Sequence, residues 1–145
     1  KLRIIEIYAK KYSGEPFKSL DDIDHSYSSL KTIFDNKLED WEIILKNSRG
    51  IYLLVDEKTG KQYVGKANGE NGFWGRWSDY INTLHGGNTQ LIELVKNEGE
   101  EYFKNNFKFT ILEVVGSYIT ETEIDQKESK WKKKLFTRKH GYNSN

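Results

Sequence analysis

Apolar residues recur at helical spacing in some stretches of the chain and alternate with polar ones in others. Tyr27, Leu30, Ile33 and Phe34 share one helical face, and Leu38, Trp41, Ile44 and Leu45 repeat the pattern, which predicts two short helices. Before them, residues 2–8 are an apolar stretch read as a strand or extended segment. A turn-rich piece with Gly14, Pro16 and Ser19 follows, then an acidic patch at Asp21, Asp22 and Asp24. From Arg49 the pattern sharpens. Residues 50–55 and 61–65 are rich in β-favouring side chains, and residues 56–60 between them are turn chemistry ending on Gly60, so a β-hairpin is predicted. After glycines at 69, 72 and 75, the stripe Phe73, Trp77, Ile81 and Leu84 predicts a helix, and another over residues 89–97 stops at Gly99. Residues 107–115 alternate as a third strand, and a last helix covers residues 120–136.

This order predicts an α+β, sandwich-like domain over residues 49–145, a small three-stranded antiparallel sheet flanked by helices. Residues 1–48 read as a mainly helical N-terminal arm. The register of the hairpin stays open. A four-residue loop would pair Val55 with Gly60 and set Tyr52 opposite Tyr63 on one face, whereas a one-residue slip would put them on opposite faces.

Composition narrows the class. At 36% hydrophobic and 31% charged residues with one Pro, the chain fits a soluble globular protein, and a length of 145 residues allows one modest core. No apolar run approaches the ~18 residues of a membrane span, and no signal-peptide pattern opens the chain. The absence of Cys rules out a disulfide framework, a thiol nucleophile and a thiolate metal site, and agrees with a cytoplasmic location. A chain that opens on Lys1 and contains no Met reads as part of something longer. Net charge is only +1, but residues 130–139 hold six basic side chains (Lys130, Lys132, Lys133, Lys134, Arg138, Lys139) and no acidic one. Such a run is more often a solvated helix end favoured by the helix dipole, and also suits phosphate contacts.

Among residues able to do chemistry, Glu128 stands in the middle of the stripe formed by Ile124, Trp131 and Leu135. A carboxylate there must be paired, hydrogen-bonded or metal-bound; it could also sit at a solvent edge, paired with Lys132 one turn on. Arg76 and Tyr80 stack on one flank of their helix, where Arg76 could brace a phosphate bidentately or simply pair with Asp79. Tyr52 and Tyr63 have packing as their default role. Asp56 and Glu57 read as a solvated turn, and His85 as a capping residue. With three His and no HxxxH spacing, a zinc site is not expected.

These residues together resemble the GIY-YIG endonuclease family. Gly50-Ile51-Tyr52 gives the first motif intact, and Tyr63-Val64-Gly65 the second with Val in place of Ile. Lys66-Ala67 resembles the continuation in excision-repair members. Arg76 matches the family's helix Arg, Tyr80 the His or Tyr four residues later, Glu128 the metal-binding Glu, and Asn143 the Asn that closes Gly141-Tyr142-Asn143. The match covers about 95 residues from Arg49 onward, six elements in order. The segments Trp74-Gly75-Arg76-Trp77 and His85-Gly86-Gly87-Asn88 are similar to a bacterial subgroup with a longer upstream region, whose tail residues 1–48 would be.

The resemblance implies the GIY-YIG fold and a metal-dependent phosphodiester hydrolase acting on nucleic acid, chiefly double-stranded DNA. One Mg²⁺ or Mn²⁺ would be held by Glu128 and the scissile phosphate. A tyrosine, Tyr52 before Tyr63, would orient or deprotonate the attacking water, with Lys66 or the metal lowering its pKa. Arg76 would stabilise the phosphorane, Tyr80 and His85 would contact the phosphate or support the network, and Asn143 would brace the site. Lys130, Lys133, Lys134 and Arg138 would contact the nucleic-acid backbone. The alternative function is a catalytically inactive nucleic-acid-binding module of a larger protein.

Overall fold

The computed structural model describes residues 16–145; the apolar stretch at 2–8 lies outside them. Ser19 caps a short 3-10 turn at Leu20–Asp22, which leads into β1 (Asp24–Ser26), α1 (Tyr27–Asp35) and α2 (Glu39–Lys46). The hairpin β2 (Arg49–Asp56) and β3 (Gln62–Ala67) follows, then α3 (Gly72–Thr83), α4 (Thr89–Glu98) and α5 (Glu100–Asn106). The long strand β4 (Phe107–Val115) precedes α6 (Glu121–Leu135) and the single turn α7 (Thr137–His140). No helix among the described residues is long and apolar enough to cross a membrane.

Among the described residues the sheet has four antiparallel strands in the order β1-β4-β2-β3, not three. The added strand comes from the arm: Asp24, His25 and Ser26 pair with Thr110, Phe109 and Lys108. Its register is reinforced where the Thr110 hydroxyl donates to the Ile23 carbonyl at 2.7 Å. Three polar residues carry no hydrophobic alternation, so nothing in the sequence marks them as a strand. The arm is also packed into the core, with Tyr27, Leu30, Ile33, Trp41 and Leu45 all buried.

The hairpin register is shifted by two residues from the four-residue loop. Val55 pairs with Gln62, Leu54 with Tyr63 and Tyr52 with Gly65. A shift of two preserves the faces, so Tyr52 and Tyr63 lie diagonally on one side, ring centroids 6.4 Å apart. That side packs on the helices α1, α3 and α5 through Tyr52, Leu54, Phe109, Phe73, Trp77 and Phe103. Each such side chain, fully removed from water, contributes about 1.5–3 kcal/mol before entropy is counted. The opposite side, Ile51, Leu53 and Val64, is covered by α6 through Ile124, Trp131 and Leu135.

A bulge in β4 serves this second layer. Ile51 pairs with Glu113 and Tyr52 with Ile111, leaving Leu112 as the extra residue. Leu112 packs in the α6 layer, and its neighbour Glu113 also turns there, accepting from Lys127 Nζ at 2.6 Å and Trp131 Nε1 at 3.0 Å. Helix α6 begins with a capping box between Thr120 and Glu123. It ends at Phe136 in the left-handed region, a conformation that costs a non-glycine residue roughly 1–2 kcal/mol.

Candidate active site

Arg76 is the centre of a buried hydrogen-bond network on the α3 side of the sheet. Its Nε donates to the Tyr52 hydroxyl at 3.1 Å, its Nη1 to the Gly86 carbonyl at 2.9 Å and its Nη2 to the Tyr80 hydroxyl at 3.3 Å. The Tyr52 and Tyr80 hydroxyls are 2.9 Å apart. Spacing on α3 accounts for the pairing of Arg76 with Tyr80, since residues four apart are neighbours on a helix. Asp79 is a weaker partner, at 3.4 Å and largely exposed.

Two glycines make the room. A Cβ on Gly65 would lie 2.3 Å from the Cζ and Oη atoms of Tyr52, so the last residue of Tyr63-Val64-Gly65 is the floor on which the Tyr52 ring rests. A Cβ on Gly86 would lie 2.7 Å from the Tyr80 ring, and Gly86 also has φ +57°, which glycine adopts without penalty. The His-Gly-Gly-Asn loop thus reaches back over Tyr80 and presents its carbonyl to Arg76. His85 caps that loop: its Nδ1 accepts the Gly87 N–H at 2.9 Å.

The network's charges follow from its burial. Tyr52 and Tyr80 are both fully inaccessible. Burial pushes the Tyr52 phenol well above its ordinary range, Tyr63 adds to the shift, and Arg76 offsets only part of it. Tyr80 moves the same way, again chiefly through burial. Burial works against the charge on Arg76, but the surrounding phenol oxygens outweigh it and hold the guanidinium cationic. Arg76 is part-exposed, and with Tyr63, Gly86, Gly87, Ser144 and Asn145 it lines a cleft of about 350 Å³. An anion entering this cleft meets a fixed cation and a phenol.

Glu128 lies in the other layer, on α6. Its side chain is 18% exposed and its Oε1 is 3.5 Å from Nζ of Lys132, so the i+4 pairing open from the sequence is present. Lys132 is itself buried and donates to the Asn145 carbonyl at 3.0 Å. The terminal residues therefore link the two layers: Asn145 lines the cleft and also holds the partner of Glu128. Lys66, on the α6 side of β3, is bound by Asp125, with Glu121 at 3.8 Å. The Asp125 hydrogen bond is the main cause that raises its pKa, and Glu128 adds to it. Among the described residues no group of three or more His, Asp or Glu side chains could hold a metal.

Asn143 is bound to β3 through both polar atoms of its side-chain amide. Its Oδ1 accepts the Val64 N–H at 2.9 Å and its Nδ2 donates to the Val64 carbonyl at 2.9 Å. The Tyr142 N–H donates to the Gln62 carbonyl at 2.8 Å. Lys130, Lys133, Lys134 and Arg138 are exposed, with Lys134 over the Trp131 ring and Arg138 on the Ser129 hydroxyl.

Asp56 corrects the reading of a solvated turn. It is fully buried, and its Oδ2 accepts the hydroxyls of Tyr102 at 2.7 Å and Tyr142 at 2.6 Å. Burial pushes its carboxyl up, but the hydrogen bonds from Tyr142, Tyr102, Thr59 and the Lys58 backbone hold it below its ordinary value. Its three carriers come from β2, α5 and the final segment, so sequence spacing holds no signal for the contact.

Residues 48–143 match the family description "GIY-YIG catalytic domain". The catalytic domain of the homing endonuclease I-TevI is similar in structure, with 28% identity and a TM-score of 0.52 over 66% of this chain and 96% of that one. A mutant of the catalytic domain of the intron endonuclease I-TevI gives 26% identity and 0.54 over 68% and 94%. Comparison with curated proteins gives no match. With this match over the greater part of the chain, and with both tripeptide motifs built into one hairpin around Arg76, the chain belongs to the GIY-YIG nuclease family.

Proposed function

We propose that the protein is an endonuclease that hydrolyses phosphodiester bonds in double-stranded DNA. The observation that carries this reading is the fixing of Arg76 by Tyr52, Tyr80 and the Gly86 carbonyl at the wall of a cleft shared with Tyr63. A guanidinium preorganised in this way stabilises charge that develops on a phosphoryl group without reorganising during the reaction. The I-TevI domains, which are endonucleases by name, support the same chemistry.

The two tyrosines take different parts. Tyr52 is enclosed and its phenol resists ionisation, so it acts by holding Arg76. Tyr63 is part-exposed and lines the cleft, so it is the tyrosine that orients the attacking water. Tyr80 shares the load on Arg76, His85 shapes the loop that carries Gly86, and Asn143 holds the strand of Tyr63 in place.

A hard divalent cation, Mg²⁺ or Mn²⁺, fits the donor set only in part supplied by protein. Glu128 offers one part-exposed carboxylate, and oxygen from water and substrate suits the remaining positions. When bound, the ion supplies charge stabilisation at the phosphate and the leaving oxygen. Glu128 would hold it; Lys66, kept cationic by Asp125, adds positive charge beside Glu128. Lys130, Lys133, Lys134 and Arg138 would track the DNA backbone. On this reading residues 49–145 are the cutting domain, working in the cytoplasm, and residues 24–45 complete its sheet and core.

Incubation of the purified protein with supercoiled plasmid and Mg²⁺ or Mn²⁺ should yield nicked or linear DNA, and Glu128→Ala and Arg76→Ala should each abolish the reaction. Cleavage that survives both substitutions would refute these roles. Salt-sensitive DNA binding with no cleavage under any divalent ion would leave only the binding-module function.

A further inference from the structure

Phe136 is a residue that the fold handles in an unusual way. It sits at φ +54° and ψ +34°, a left-handed conformation, yet its side chain is 63% exposed. Leu84 provides the contrast. It too has positive φ, at +69°, but is 6% exposed, so burial of its side chain offsets the backbone strain. Phe136 has no such return. Glycine would fit this helix end without strain and without baring an aromatic ring to water, and strained residues of this kind gather at functional sites.

Its surroundings say what it meets. Lys133, Lys134, Arg138, Lys139 and His140 flank it and are all exposed, with no acidic residue from 130 to 139. Its ring faces that of His140 at 6.4 Å. The position is also fixed. Phe136 offers its carbonyl to His140 N–H at 2.8 Å, and the next residue, the buried Thr137, accepts from Asn143 N–H at 3.2 Å. Asn143 is the residue clamped to β3, and the cleft-lining Ser144 and Asn145 follow it directly. An exposed apolar ring amid cations, on backbone tied to the wall of the cleft, has the chemistry of a wedge that enters a base step while phosphates are held around it.

We infer that Phe136 is such a wedge: it stacks on a base of duplex DNA beside the cleft while the neighbouring lysines and Arg138 hold the backbone. The inference rests on the reading of the cleft as a DNA site, and is tested apart from it by working without divalent ions. Duplexes carrying 2-aminopurine at successive positions would be titrated with protein in EDTA, following both anisotropy and 2-aminopurine fluorescence. Wild type should raise the fluorescence at one or two positions. Phe136→Gly should melt at the same temperature or higher, lose the fluorescence rise, and bind about tenfold or more weakly, as expected for one stacked base. Phe136→Trp should restore both signals. The inference is overturned if no position brightens with wild type, if Phe136→Gly leaves signal and affinity unchanged, or if Phe136→Gly lowers the melting temperature, which would make the ring structural. Preference for anionic vesicles over duplex would overturn it as well. Loss of plasmid cleavage with the fluorescence intact would strike the proposed function and leave the wedge standing.

Discussion

Arg76 donates from Nε to the hydroxyl of Tyr52, a tyrosine with no exposed surface, so the cation and not the phenol is the group offered to the cleft. Lysine cannot reproduce this, because it brings one compact charge in place of a planar fork. Arg76→Lys should reduce single-turnover cleavage by about 10²–10³-fold, the cost typical of one lost oxyanion-stabilising group, while the circular-dichroism melt stays near wild type. Tyr52→Phe keeps the ring and removes one of three supports, so its loss should be smaller, about tenfold.

Gly65→Ala should be damaging out of proportion to one methyl group. The added carbon would stand 2.3 Å from the Tyr52 ring, and overpacking of this kind costs about 1–3 kcal/mol. Urea denaturation of a double-mutant cycle with Tyr52→Ala isolates the clash: Gly65→Ala should cost little once the ring is gone. An equal penalty in both backgrounds would locate the cost elsewhere.

Asp56 and its two tyrosines contribute to a fall in stability at both ends of the pH range. The folded carboxyl lies below its ordinary 3.8, so its contribution is present above that value and is lost as pH falls through the folded pKa. Tyr102, through burial first and then the Asp56 hydrogen bond, is pushed up to about 12 from 10.0, and Tyr142 rises for the same causes. Their contribution is complete below 10.0 and disappears as pH rises through the folded values. Urea-unfolding free energies measured across pH should fall at both ends. Asp56→Asn should flatten the acid limb and lower the plateau by about 1–3 kcal/mol, the cost of a disrupted buried polar group.

Lys132 Nζ lies 3.5 Å from Glu128 Oε1, and on the proposed function a divalent ion would compete with it for that carboxylate. Lys132→Met keeps the buried stem and removes the competing charge, so Mn²⁺ binding followed by electron paramagnetic resonance should tighten, by about tenfold for each 1.4 kcal/mol of relieved repulsion. Glu128→Ala should abolish that binding. Chelation with EDTA should stop cleavage by wild type, and Mg²⁺ should restore it. Unchanged Mn²⁺ affinity in Lys132→Met would show that the ammonium does not oppose the ion.

Much of this was legible in the chain because it depends on local spacing. The Ile124, Trp131 and Leu135 stripe is the face that α6 turns to the sheet, and the four-residue step from Arg76 to Tyr80 is what lets both reach Tyr52. Contacts assembled from distant segments were not legible. The Asp56 cluster joins residues 46 and 86 positions apart, and β1 owes its existence to pairing with β4 rather than to its own three polar side chains. Glu128 shows the limit of the local argument: the stripe located it, but the same helix supplied Lys132 as its partner.

The clamp of Asn143 on Val64 also bears on how the molecule behaves among its own copies. Among the described residues β3 is one outer strand of the sheet, and an uncovered outer strand recruits foreign strands and seeds aggregation. Asn143 and Tyr142 occupy its outward backbone groups at Val64 and Gln62. At the other border, β1 is three polar residues long, with Asp24 paired to Lys108 at 3.2 Å. The Gly-Tyr-Asn motif thus leaves the outward backbone groups of Val64 and the carbonyl of Gln62 already engaged, and less of β3 open to a foreign strand.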